Sequence, residues 1–244
     1  MKHYIRADLH RIFRRIPRHI LLVAVFAILG YIGVKVFTNY TIYEICDLFS
    51  EHSSKIFFVF GLIEYAFVYG DDFRAKTMQI AIGAGVSRRH VVLAKWLEAM
   101  FLCLLDLLCV FVIIIGICAV NGIAFTGDAA LDLVIMFFFD LVKIGGAYAF
   151  TQIFIFLKQG TGLGMLIFIG MYLGIVNIVT SIITESNLLK SFHLEKYMFT
   201  SMLNLARSRL LVGSLSPALL GIAIYLLFFY AVTCLIFRKR ELEF

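Results

Sequence analysis

The sequence predicts an all-α integral membrane protein with six transmembrane helices. Two observations carry that expectation: 62% of the residues are hydrophobic with a mean hydropathy of +0.96, and the apolar residues are gathered into six long runs. With only 16% of its residues charged, a chain of 244 residues cannot cover a soluble globule with polar surface. Crossing about 30 Å of hydrocarbon takes roughly 20 apolar residues in a helix. The six runs are 20–37, 55–70, 96–120, 131–157, 163–184 and 218–237, which leaves little length for anything else, so residues 1–244 are expected to form a single membrane domain. The runs are continuous rather than alternating, and a helix satisfies all its own backbone groups in lipid, so barrel strands are disfavoured.

The first nineteen residues, MKHYIRADLHRIFRRIPRH, place Ile5, Leu9, Ile12, Phe13 and Ile16 on one helical face and Arg11, Arg14, Arg15 and Arg18 on the other. That pattern fits an interfacial helix held by anionic lipid, with Pro17 marking a bend into the first run; a basic topology signal without stable helix is the alternative. The first run follows a long basic segment and has no clear small-residue cleavage site, so it is expected to be retained as a helix. The second run is short and carries Glu64, and an upstream start near Ile42 is the alternative. Residues 121–130 form a short connection. The segment 185–217 is long and contains apolar stretches such as 197–205, so short or re-entrant helices before Pro217 are expected there.

If the amino terminus is inside, fifteen Lys and Arg residues fall in inner segments against five in outer ones, which places both termini in the cytoplasm. The net charge of +6 follows from that asymmetry and requires no nucleic-acid partner. Cys103, Cys109, Cys118 and Cys234 lie within the runs and only Cys46 outside them, so a disulfide framework is not expected.

The segment 71–96, DDFRAKTMQIAIGAGVSRRHVVLAKW, is a charged, glycine-broken insert between two long apolar runs. It divides into two helical pieces at Gly83-Ala84-Gly85, where two close glycines suggest a hinge. In the first piece Asp72, Lys76 and Gln79 share one face and Phe73 and Ile80 another. Ser87 is placed to cap the helix running through Arg88, Arg89 and His90 into the third run. On residue types alone the insert is a solvated connector.

The pattern Asp72, Arg74, Lys76-Thr77, Gly85-Val86-Ser87-Arg88 and Lys95 resembles the loop between the second and third spans of permeases in the type 2 ABC exporter family. The basic amphipathic start, the six runs, the long last outer loop and the basic tail FRKRELEF are similar too, so the resemblance covers the whole chain. Two positions depart from it: Ala75-Lys76-Thr77 stands where many members have Gly-Thr, and Asp71-Asp72 where Glu is commoner. The resemblance implies that 71–95 holds a cytoplasmic coupling helix, with Asp71, Asp72, Phe73, Arg74, Thr77, Ile80, Gly85, Ser87 and Arg88 as contact candidates. It also implies a separate ATP-binding subunit in two copies carrying ATP and Mg, and a second permease subunit, identical or similar. Permeases of this kind resemble small bacterial plasma-membrane exporters of antimicrobial peptides, bacteriocins or drugs, which implies an amphipathic cargo.

The chain lacks a phosphate loop of its own, since no Gly-Lys dipeptide occurs in it, and KQGTGLG merely joins two runs. No HExxH motif is present, and no metal or catalytic residue is assigned. YGDD at 69–72 has no second acidic partner and sits at a helix end. The aromatic run 137–139 is read as lipid-facing or packing bulk. A rival class, an ion-coupled secondary transporter or intramembrane enzyme, rests on Glu64, Asp106, Asp140 and Lys143, because ionisable groups in apolar spans are costly and default to functional candidates. Asp106 and Lys143 are expected to pair between helices, with Asp140 completing the cluster and Glu64 facing a polar cavity. Glu98 and Asp132, near run ends, are expected to reach water.

Overall fold

The computed structural model describes residues 2–74, 77–158, 160–173, 197–211 and 216–239. Among the described residues the protein is all-α: α1 (Lys2–Phe13), α2 (Ile16–Val36), a 3-10 turn (Phe37–Asn39), α3 (Ile42–Arg74), α4 (Thr77–Gly83), α5 (Arg88–Val120), α6 (Gly127–Lys158), α7 (Thr161–Tyr172), α8 (Phe199–Leu211) and α9 (Ala218–Lys239). Five of these, α2, α3, α5, α6 and α9, are long and apolar enough to cross a membrane, which makes this a multi-pass membrane protein. The remainder of the 163–184 run beyond Leu173 lies outside the described residues.

Several helices overrun their apolar stretches because their polar ends carry their own caps. Thr41 and Glu44 form a capping box at the start of α3, with Glu44 Oε2 accepting from Thr41 N at 2.7 Å and from Thr41 Oγ1 at 2.9 Å. This supports the start near Ile42. At the start of α5 the Ser87 Oγ accepts from His90 N at 3.4 Å, and α5 then runs 33 residues to Val120. At 1.5 Å per residue that is about 50 Å, so its ends project beyond hydrocarbon about 30 Å thick.

The chain breaks at Arg14 and Arg15, before Pro17 rather than at it. Pro17 occupies the first turn of α2, where its missing N–H is one that no helix would satisfy. The face expected for 1–19 is therefore split between two helices. Ile12 is buried, Leu9 half-buried, and Phe13 and Ile16 exposed.

α6 sits at the centre, touching α3, α5, α7, α8 and α9. A stripe on α5, including Lys95, Glu98, Leu102, Asp106, Val110, Ile114 and Ile117, faces the interior at three- and four-residue steps. The peripheral helices α2 and α9 turn large apolar side chains outward, among them Ile20, Tyr31, Leu220 and Leu227, as lipid contact requires. Phe138 is exposed, while Phe137 and Phe139 are buried.

α8 packs against α6 and α9. It approaches α6 closely because Gly146 has no side chain: a Cβ there would overlap the ring of Phe199. Gly146→Leu is expected to cost about 1–3 kcal/mol by overpacking. Phe199→Ala in the same chain should recover most of that loss, as thermal unfolding of the four proteins of the cycle would read out.

Candidate functional site

The elements at the amino-terminal end of α5 form one surface. α4 is fastened there by Met78, buried in a cluster with Val91, Val92, Phe156 and Phe237 that draws residues from α4, α5, α6 and α9. Two residues along α4, Ile80 is 68% exposed, a large aliphatic side chain turned away from its own protein. Past Gly83 the chain closes in a Schellman turn: Val86 N donates to Ala81 O at 3.0 Å and Gly85 N to Ile82 O at 3.0 Å, with Gly85 at φ +91°. Of Gly83 and Gly85, only Gly85 needs its glycine for backbone conformation. The expected hinge is therefore a hydrogen-bonded cap that fixes the angle between α4 and α5.

Arg88, the first residue of α5, donates from Nη1 to Phe237 O at 2.7 Å and to Arg238 O at 3.2 Å. Its guanidinium lies 5.5 Å from the Phe237 ring centroid. It thereby ties the start of α5 to carbonyls in the last described turn of α9. Of the other contact candidates, Asp71, Asp72, Phe73 and Arg74 form the last turn of α3, and their side chains lie outside the described residues. So does Lys76, and with it the expected Asp72–Lys76 pair. Thr77 opens α4.

α1 packs against this end of α5 through a buried ion cluster. Asp8 pairs with Lys95 and, at 2.6 Å, with Arg11; Lys95 Nζ also lies 3.3 Å from Glu98 Oε2. Glu98 is fully buried, contrary to its expected access to water, because α1 covers that face of α5. Burial by itself would raise the Asp8 carboxyl, but the Lys95 ammonium and the Arg11 guanidinium outweigh it and hold the group below its ordinary value of 3.8. A depressed carboxylate stabilises the fold above its unfolded-state pKa, and that contribution is lost as pH falls through the folded-state value. Anchoring of α1 should therefore be constant from neutral pH down to about 4 and weaken at more acidic pH, seen as faster proteolysis in 2–13 at low pH. Asp8→Asn should remove that acid dependence.

Deeper in the bundle, Arg18 clamps Glu64: Nε is 3.0 Å from each carboxylate oxygen and Nη2 is 2.7 Å from Oε1. Asp106 Oδ1 stands 4.0 Å from the same Nη2. Asp106 Oδ2 has no hydrogen-bond partner among the described residues. Three helices, α2, α3 and α5, meet at this one guanidinium. Two expectations are corrected here. Glu64 faces a cation rather than a polar cavity, and Arg18 lies inside the bundle rather than on the basic face of an interfacial helix. The break before Pro17 places Arg18 on α2 and turns it inward.

Asp106 and Lys143 do not meet. Lys143 Nζ donates to Ser54 Oγ at 3.2 Å, and Asp140 accepts from Ser53 Oγ at 2.6 Å and Ser54 Oγ at 2.9 Å. Depth along the helices matched Asp106 to Lys143, but their rotation about the helix axes gives each different neighbours. Asp140 and Lys143 do share a cluster, while Asp132 is exposed. A further polar link was missed in the sequence: Gln152 Nε2 donates to Tyr69 Oη at 2.7 Å and to Val92 O at 3.3 Å, joining α6 to α3 and α5. Its signal is a lone amide within an apolar run, which lipid would not tolerate unpaired. Among the described residues no three His, Cys, Asp or Glu side chains converge as metal ligands would.

The sequence matches no protein-family model, and no curated protein is similar enough to it to indicate a family.

Proposed function

We propose that this chain is the membrane-spanning permease of an ATP-driven exporter, coupling hydrolysis by a separate ATP-binding subunit to expulsion of an amphipathic cargo. The supporting observation is α4: a short helix fastened through Met78 to a cluster shared by α5, α6 and α9, with Ile80 turned outward. A partner that pushed on such a helix would move several spans together, because the Schellman turn and the Arg88 bonds leave little slack between them. The amino-terminal helix acts as a brace beside it through Asp8 and Lys95.

The start of α2 and the end of α9 lie on the same side of this bundle, which suits six crossings with 163–184 as the fifth. The excess of basic residues on that side makes it the cytoplasmic face. The motor subunits, two copies holding ATP and Mg, dock there, and a second permease subunit, identical or similar, completes the path. The cargo class is an antimicrobial peptide, bacteriocin or drug, and the setting a bacterial plasma membrane. The four intramembrane charges divide between two separate clusters, one held by Arg18 and one by Ser53 and Ser54, which favours structural roles over a single catalytic or ion-coupling centre.

The test is copurification. Expressed with the chains encoded beside it, the full protein should retain a nucleotide-binding chain through detergent extraction and stimulate its ATPase activity. Recovery of the permease without any ATP-hydrolysing partner would count against the proposal.

A further inference from the structure

Near the connection from α2 to α3, an apolar slot of about 270 Å³ lies between α2, the 3-10 turn, α3 and α5. It runs along the helices: its lining extends over residues 29–37 of α2 and the turn, 48–56 of α3 and 110–117 of α5. At 1.5 Å per residue each stretch is about 10–12 Å long, most of a hydrocarbon leaflet about 15 Å deep. Only Tyr40 and His52 among the lining residues carry polar side-chain groups. His52 Nδ1 lies 3.5 Å from Lys55 Nζ. Tyr40 follows the 3-10 turn, where an amphipathic ring suits the membrane–water boundary. One wall is closed because Gly33 lets α2 rest on α5: a Cβ there would overlap the side chain of Ile117. On another side the slot is continuous with the lipid-facing flank of α2, since Ile32 and Val36 line it and are 50% and 47% exposed.

From this geometry we infer that the slot holds one acyl chain of a membrane phospholipid as a fixed guest. Walls of this composition do not hold water: an apolar cavity of about 150 Å³ already stays dry and takes up a molecule the size of benzene. Left empty, the lining side chains forfeit their dispersion contacts on one side. The medium at the open side is hydrocarbon, so the guest with direct access is a lipid chain. The shape selects the same guest, because a long space parallel to the spanning helices matches a chain standing along the bilayer normal, with its ester end toward Tyr40. α2 also has the smallest buried share of the five spans, and the guest supplies packing that its own chain does not. The inference rests on the multi-pass fold and not on the export reading.

The test uses the purified full chain without any motor subunit, so its outcome is separate from that of copurification. The chain is reconstituted into phosphatidylcholine vesicles doped with phosphatidylcholine that carries a diazirine midway along one acyl chain, and adducts formed on photolysis are mapped by mass spectrometry. Openly lipid-facing residues such as Leu227, 66% exposed, should be labelled in proportion to the probe added. Slot residues such as Phe49 should instead be labelled to saturation, as a single site requires. Ile113→Trp fills the slot from α5 and should cut labelling at Phe49 at least tenfold while leaving Leu227 unchanged. If that variant does not fold, Leu48→Trp, which fills the slot from α3, is measured by the same criterion. Parent-like slot labelling in the filled variant, slot labelling that never saturates, or labelling confined to exposed residues overturns the inference. So does a disulfide-linked dimer formed through Val36→Cys and absent from the parent, which would place a second copy over the slot.

Discussion

Replacing Arg18 with Met is expected to destabilise the bundle by about 3–5 kcal/mol, because it leaves buried carboxylates without their cation. Arg18 makes three close contacts to Glu64, which is fully buried, and is the one cation among the described residues within 4.0 Å of Asp106. A loss of 3 kcal/mol changes the folding equilibrium by more than a hundredfold. It can be read as faster maleimide labelling of Cys103, a thiol only 2% exposed in the folded protein. The ion cluster differs from an ordinary packing contact in one measurable way. Combining Arg18→Met with Glu64→Gln and Asp106→Asn should restore most of the lost stability, because neutral groups need no counterion. A single variant that labels no faster than the parent would show that the guanidinium holds nothing together.

The second large effect is expected at Ile80, and it falls on partner capture rather than on folding. Burying an aliphatic side chain at the centre of an interface removes it from water, and such central anchors carry a disproportionate share of binding energy. Ile80→Asp should therefore reduce recovery of the ATP-binding subunit at least tenfold. The permease itself should unfold within about 0.5 kcal/mol of the parent, as surface substitutions do. Met78→Asp gives the contrasting outcome, since Met78 is 3% exposed and holds α4 to the bundle. That variant should lose both stability and partner. Partner capture equal to the parent's in Ile80→Asp would remove α4 as the contact.

The spans were legible because a long apolar run has few other fates than lipid, and 218–237 lies within α9 as described, Ala218–Lys239. Their ends were less legible because hydropathy reports where lipid can be, while helix length is set by caps. The Thr41-x-x-Glu44 box announces the early start of α3 once it is sought. Gly83-Ala84-Gly85 marks the division of the insert and suggests a hinge, whereas the structure closes that turn with hydrogen bonds from Gly85 and Val86. Paired glycines say that a turn occurs and not whether hydrogen bonds then close it.

The largest gap between sequence and structure concerns the charges. Periodicity within 1–19 groups Arg18 with the basic residues of one helix ending at Pro17, whereas the break at Arg14 and Arg15 places Arg18 on a different helix and a different face. Depth alone matched Asp106 to Lys143, and depth does not fix rotation. A signal for rotation was nonetheless present. Lys95, Glu98 and Asp106 fall on the same three- and four-residue stripe of α5 as Leu102, Val110 and Ile114, so all three were bound to face the interior. An acidic or basic residue on an apolar stripe points to a buried partner elsewhere in the chain.

The central claim is that α4 is the surface through which an ATP-hydrolysing subunit acts on the membrane spans. Cysteine at Ile80, crosslinked in intact membranes and analysed by mass spectrometry of the adduct, tests it most directly. The account predicts one dominant adduct to a nucleotide-binding chain, whose yield changes when ATP is trapped in that chain. Adducts only to lipid or to a second copy of this protein, unaffected by nucleotide, would contradict it.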